Sequence, residues 1–251
     1  FAKFSNCDYA ISVANGSLAL SLAYLSVGIH AGDEVITTPR TFIATASSLC
    51  TLKARPVFAD VDRDSGLITA KTIEPLINSK TKAISVVHLA GWPAEMMEIC
   101  ALANAYNLIV IEDCAQAHGA FIKLNNQNKS VGSFGDISAW SFCQDKIIST
   151  AGEGGMVTTN NHSLFERAWS FKDHGKTLKK VFKTKHEPGY RWLHENFGSN
   201  FRLTEIQSAI GRKQLNLLNI WHKKRHDNAQ ERHIFPQGTV LPSGGVLVLF
   251  G

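Results

Sequence analysis

This chain of 251 residues has little of what marks the specialised classes of protein. Its five cysteines (Cys7, Cys50, Cys100, Cys114 and Cys143) form no C-x-x-C pair and follow no framework spacing. A disulfide-stapled scaffold is therefore not expected, and free thiols in a reducing cytosol are. No run reaches the ~18 apolar residues needed to cross a bilayer, and no secretory leader is visible, so a cytoplasmic protein without a membrane partner is expected. Charged residues make up only 19% of the chain, with a net charge of +5. The basic excess is local, in Lys176, Lys179, Lys180, Lys183 and Lys185 and again in Lys223, Lys224 and Arg225. These runs lack the interleaved aromatics of a nucleic-acid stacking platform. A solvated face, or a site for an anionic small molecule, is the expected reading. There are no internal repeats and no low-complexity blocks.

What is present is an ordinary globular composition, 44% hydrophobic, in a chain long enough for a sizeable core. Short apolar runs alternate with helical patterns. The spacing predicts strands at Tyr9–Ala14, Glu34–Thr37, Pro56–Asp60, Ala83–His88, Leu108–Glu112 and Ser138–Phe142. Helices are predicted at Ser17–Val27 (Leu18, Leu22 and Leu25 on one face), Thr41–Leu52, Ala94–Tyr106 and Arg202–Arg225. This order implies an α/β fold with a mainly parallel sheet covered on both faces.

Four segments hold candidate chemistry. In Ser141-Phe142-Cys143-Gln144-Asp145-Lys146, closed by Gly152-Glu153-Gly154-Gly155, an apolar strand delivers a lysine into a tight loop. A desolvated lysine loses its proton more easily and can attack a carbonyl; the plainer reading is an exposed loop lysine. In Asn15-Gly16-Ser17 a glycine turn opens a helix, where outward amides favour a phosphate, or where Asn15 or Ser17 simply caps. In Glu112-Asp113-Cys114-Ala115-Gln116 an acid ends a buried strand, where open sheets bind ligands, or else caps a turn. Asn200 and Thr204, in Gly198-Ser199-Asn200-Phe201-Arg202-Leu203-Thr204-Glu205, are candidate caps for the long helix. His118 reads as a packed or surface histidine. His222 and His226 have the i, i+4 spacing of a metal pair but no third ligand, so no metal is expected.

In this order and spacing the four segments resemble the DegT/DnrJ/EryC1/StrS family, the pyridoxal-phosphate-dependent sugar aminotransferases, over roughly residues 1–220. The resemblance implies the fold type I (aspartate aminotransferase-like) architecture, a homodimer with shared active sites, and pyridoxal 5'-phosphate as cofactor. It implies transfer of an amino group, glutamate being the usual donor, to a keto sugar for surface polysaccharide. Lys146 matches the lysine that holds the cofactor covalently, and Asp113 the carboxylate beside the ring nitrogen. Gln116 matches the residue near the ring's phenolic oxygen. Gly16, Ser17 and Ser141 match the phosphate contacts, Phe42 the aromatic stacked on the ring, and Asn200 the asparagine that reaches a neighbour's cofactor phosphate.

Departures are visible too. Cys143-Gln144-Asp145 stands where relatives more often carry an aromatic or histidine and then proline. Residues 187–195 look most like a branch acting on an eight-carbon keto-octulosonate. The division implied is a cofactor-binding large domain at 1–218, a connecting helix at 219–235, and an atypical tail at 236–251 where relatives continue into a small domain. This end, and a start at Phe1 without methionine, is read as a truncated or frame-shifted copy. A remnant that binds cofactor or a partner without turnover is the alternative. A sugar dehydratase of the same family is a further one, but such relatives replace the lysine with histidine.

Overall fold

The computed structural model describes residues 1–189 and 191–231. The tail at 236–251 and the last residues assigned to the connecting helix lie outside them. The order of elements is β1 (Tyr9–Val13), α1 (Gly16–Ser26), β2 (Glu34–Thr37), α2 (Ala44–Thr51), β3 (Arg55–Phe58), α3 (Ala70–Ile73), β4 (Thr81–Val87), α4 (Met96–Ala105) and β5 (Ile109–Asp113). A hairpin of β6 (Phe121–Leu124) and β7 (Gln127–Ser130) follows, then β8 (Ile137–Ser141), β9 (Gly155–Thr159), α5 (His162–Lys172) and α6 (Glu205–Glu231). Among the described residues no helix is long and apolar enough to cross a membrane.

Seven strands form one sheet in the order β1-β9-β8-β5-β4-β2-β3. The pairs β2–β3, β2–β4, β4–β5 and β5–β8 are parallel, while β9 runs antiparallel to both β8 and β1. The mainly parallel α/β sheet is thus present, with an antiparallel edge created by the glycine-rich return after Lys146. Parallel strands need both faces covered, and alternate residues along β5 serve both. Ile111 packs into the cluster beneath α1 with Val13, Leu22, Tyr24 and Ala139. Val110 faces the opposite cluster, with Ile36, Ile84, Met96 and Ile99. A third cluster, around Trp140, Phe142 and Ile148, receives Leu218 from α6. Burial of Leu218 contributes about 1.5–3 kcal/mol to holding that helix.

Several boundaries differ from the sequence reading for local reasons. Thr41–Leu52 does not begin as a helix: Thr45 and Ala46 donate their amides to Phe42 and Ile43, three residues back, and the α-helix starts only at Ala44. Phe42 is left in the entry loop and is 70% exposed. On α1 the buried residues are Ala19, Leu20, Leu22, Ala23, Tyr24 and Ser26, not the stripe through Leu18 and Leu25, because the helix packs on the sheet, α2 and α5 together. On α6, Ile206 is exposed although it lies on the predicted apolar face. That helix runs unbroken past residue 218 to Glu231.

Candidate active site

The carboxyl ends of β4, β5 and β8 open onto a cavity of about 740 Å³. Ligands bind at such strand ends because the loops there diverge and the sheet supplies fixed walls. Gly16 and Ser17 from α1, Phe42 from the loop before α2, Asp113 and Gln116 from the end of β5, and Ser141 and Lys146 from beyond β8 all line it. Asn200 does not. It is exposed, pairs with Asp173 in an isolated bridge, and accepts the Arg202 amide at 3.3 Å.

The phosphate-type corner follows from helix geometry. Asn15 is the cap of α1: its Oδ1 accepts the Leu18 amide at 2.9 Å. The amides of Gly16 and Ser17, in the first turn, have no carbonyl one turn earlier to meet. Ser17 is freed from capping, and its side chain is exposed at the cavity. Gly16 cannot be replaced: a Cβ there would lie 2.6 Å from Ser141 Cβ. The missing side chain lets the end of β8 touch the helix N-terminus, so Ser141 joins the same corner. Gly155 makes a similar close approach, since a Cβ there would collide with the Asn15 carbonyl oxygen.

Lys146 sits in a turn tied at several points. Gln144 donates its amide to the Gly152 carbonyl at 2.8 Å, Lys146 donates to that of Cys143 at 3.0 Å, and Phe142 to that of Gly154 at 2.8 Å. Its side chain is only 12% exposed, and Nζ lies 2.9 Å from Asp145 Oδ2. The exposed-loop reading of this lysine does not hold.

At the floor, Asp113 is buried. Its Oδ2 accepts from the Thr45 hydroxyl at 2.7 Å and its Oδ1 from the Ala115 amide at 3.1 Å. Burial pushes its carboxyl above the usual carboxylate range, despite those bonds and the positive charge of Lys146. Gln116 Oε1 accepts the Ala90 amide at 2.7 Å, which leaves its N–H donors for the cavity. Cys143 and Glu153 line the same space, with Cys143 Sγ 3.5 Å from Glu153 Oε1.

Three supporting residues were not singled out from the sequence. Thr45 orients Asp113, and its position on the first turn of α2 gave no signal beyond that of an ordinary helical threonine. His88 and Glu112 form a buried pair at 2.9 Å behind the site. His88 Nδ1 accepts the Ala94 amide at 3.1 Å, so its proton lies on Nε2 and is donated to Glu112. With Cys114 these two could geometrically bracket a metal ion. The ring nitrogens of His88 and the carboxylate oxygens of Glu112 are already used in hydrogen bonds, which brace the end of β5. His118 is fully buried, and neither ring nitrogen has a hydrogen-bond partner. The basic cluster at Lys176–Lys185 does not line the cavity. Lys176 and Arg202 pair with Asp173, and Lys180 with Glu195. Lys224 and Arg225 of α6 instead line an adjoining cavity of about 560 Å³ that shares Gln144 and Lys146.

Comparison with known proteins identifies the family. The chain is 43% identical over 215 residues to the GDP-perosamine synthase of Escherichia coli O157:H7, covering 86% of this chain and 55% of that protein. It is 42% identical over 213 residues to the UDP-N-acetyl-3-dehydro-alpha-D-glucosamine 3-aminotransferase of Acidithiobacillus ferrooxidans, covering 85% and 54%. The crystal structure of an aminotransferase from Psychrobacter cryohalolentis superposes with a TM-score of 0.88 at 56% identity, over 92% of this chain and 57% of that one. The chain thus spans little more than half the length of the relatives it matches. A family model covers residues 1–232, and with it the chain belongs to the DegT/DnrJ/EryC1/StrS aminotransferase family.

Proposed function

We propose that residues 1–218 are the cofactor-binding large domain of a pyridoxal-phosphate-dependent enzyme. It would move an amino group from an amino acid, glutamate by preference, to a keto sugar, nucleotide-linked or of the octulosonate type, for surface polysaccharide in the cytoplasm. One observation carries this reading. Residues from four separate segments meet in a single cavity, each presenting the chemistry one part of the cofactor requires. A desolvated carboxylate, a helix N-terminus with two hydroxyls, and a nearly buried lysine fit a ring nitrogen, a phosphate and an aldehyde.

Pyridoxal phosphate, when bound, supplies an aldehyde that carries the amino group and a ring that accepts the electrons of a breaking Cα–H bond. Lys146 Nζ would bind the aldehyde carbon and, once displaced by an incoming amine, would hold and move the proton. Asp113, as an anion, would keep the ring nitrogen cationic; a cation beside it would also relieve the desolvation of its own charge. Gln116 would donate to the ring oxygen. Gly16, Ser17 and Ser141 would hold the phosphate, and the Phe42 ring would cover one face and exclude water. Asn200 would reach the cofactor phosphate of a second subunit in a homodimer, which accounts for its lying outside the cavity of its own chain. Lys224 and Arg225 are positioned at the adjoining cavity to meet an anionic portion of the acceptor.

Reduction of the cofactor-loaded chain with borohydride, followed by peptide mapping, should place the pyridoxyl adduct on Lys146. An adduct on another lysine, with Lys146→Ala keeping the cofactor absorbance, would refute the reading.

A further inference from the structure

Asp145 is the residue before Lys146, and in a regular strand or helix neighbouring side chains point apart. Here they meet: Oδ2 of Asp145 is 2.9 Å from Lys146 Nζ. The pair sits in a tight turn, in which the Lys146 amide donates to the Cys143 carbonyl and the Gln144 amide to that of Gly152. The partners are unequal in setting. The carboxylate is 48% exposed and faces water at the mouth, whereas the lysine is 12% exposed and projects inward. The bond to Lys146 is among the contacts that hold the Asp145 carboxyl below the usual range against its partial burial, so the acid is a standing anion. Both residues line the cavity in which Asp113 and Gln116 lie. Its other side-chain contact is with the Cys143 thiol, two residues back in the same turn.

We propose that Asp145 is a positioning residue that holds the Lys146 side chain in an ion pair in the cofactor-free chain and thereby sets the rate of covalent cofactor capture. This rests on the reading of Lys146 as the cofactor lysine. Capture forms a C=N bond between Nζ and the aldehyde carbon and expels one water. Nitrogen can attack only with a free lone pair, so the ammonium first gives one proton to solvent. An anion 2.9 Å away stabilises the charged form that must be left and holds Nζ at one place on the cavity wall. The same contact gives the lysine a defined resting position whenever substrate amine displaces it, in place of a flexible four-carbon chain sampling the whole cavity. Asp145 thus trades speed of loading for a fixed place from which Lys146 returns.

Stopped-flow mixing of the full chain with pyridoxal phosphate at neutral pH tests this, with growth of the covalent absorption band as the signal. Asp145→Asn should capture the cofactor roughly two- to fivefold faster than wild type, and Asp145→Glu, which can restore the pair, should return toward the wild-type rate. Pyridoxamine phosphate has the same phosphate but no aldehyde, so its equilibrium affinity should be equal in wild type and Asp145→Asn. Unchanged or slower capture in Asp145→Asn overturns the proposal. So does a matching rise in pyridoxamine phosphate affinity, which would mean that Asp145 merely repels the phosphate. If Asp145→Asn loses its fold, Asp145→Ser serves in its place under the same criteria. Lys146→Ala separates the two readings: a covalent band persisting in that variant defeats the assignment of Lys146, whatever Asp145 does.

Discussion

Glu112 and Asp113 are consecutive residues at the end of β5, both buried, both carboxylates, facing opposite sides of the sheet. Glu112 accepts four hydrogen bonds, from His88 at 2.9 Å and from the amides of Gly132, Phe134 and Gly135 at 2.7, 2.8 and 2.7 Å. Burial alone would raise its carboxyl, but the His88 bond and the amides outweigh burial and hold it below the usual range. Asp113 accepts two, from Thr45 and Ala115, and burial prevails over them. One carboxylate is completed by the protein itself. The other is left short of positive partners at the edge of a cavity, which is the condition of a group kept for a cationic ligand.

That contrast can be tested where its effect is largest. Asp113→Asn should slow amino transfer from any accepted donor by on the order of a thousandfold or more, because a neutral amide cannot hold the ring nitrogen cationic. The cofactor-free chain should melt at the same temperature or higher, since the variant removes a desolvated charge while Thr45 and Ala115 can still be matched. The sign of the pH dependence agrees. A raised folded-state carboxyl favours the fold at low pH and loses that advantage as pH rises through its folded value, so any gain of Asp113→Asn should be seen above that range. Wild-type transfer rates in the variant would show that Asp113 is only a cap.

Glu112→Gln should do the reverse. The amide brings donor hydrogens against the amides of Gly132 or of Phe134 and Gly135, leaving buried donors unmatched at about 3 kcal/mol. The melting temperature of the cofactor-free chain should fall by roughly 6–12 °C, with no direct effect on cofactor affinity. In the wild type this contribution is present above the ordinary carboxylate value and disappears as pH falls through the depressed folded one. Equal melting temperatures for the two variants would erase the distinction between neighbours.

His118 offers the smallest and sharpest refinement, as a second incomplete group that lies outside the cavity lined by Asp113. Burial, with the nearby His222, pushes its pKa down from 6.5 to about 3. Between those values the unfolded chain takes up a proton that the folded chain refuses, so stability is present above pH 6.5 and declines as pH falls toward 3. His118→Phe, placed against Trp140 and Phe142, should flatten that acid limb and add about 1 kcal/mol at neutral pH. Urea melts at pH 7 and pH 5 read both effects. An unchanged difference between the two pH values would mean that the ring titrates normally.

The same distinction between local and distant partners explains what could be read in advance. Strand positions in the parallel sheet were legible because buried strands are written as short apolar runs, and most boundaries fall within one or two residues of the structure. The short α3, the β6–β7 hairpin, β9 and α5 are not legible in the pattern, β9 because Gly155-Met156-Val157-Thr158-Thr159 follows a glycine cluster that reads only as a turn. Thr41–Leu52 reads as one helix because its composition suits one throughout; in the structure Thr41 and Thr45 join hydroxyls at 2.8 Å across the tighter turn, and Thr45 bonds to Asp113 of a distant strand.

By itself the sequence determined which side chains could do chemistry and in what order they occur, because glycine turns, a lone lysine in a loop and an acid at a strand end are local features. Tertiary structure decided everything that depends on distance between segments. It placed Asp145 on Lys146 through a fold of the turn, gave Glu112 four donors from His88 and from 132–135, and left Asp113 with two. It also kept Asn200 out of its own chain's cavity. A carboxylate's charge and reactivity are set by solvation and by neighbours a few ångströms away, and the sequence E-D has no means of saying which of its two acids the folded chain will complete.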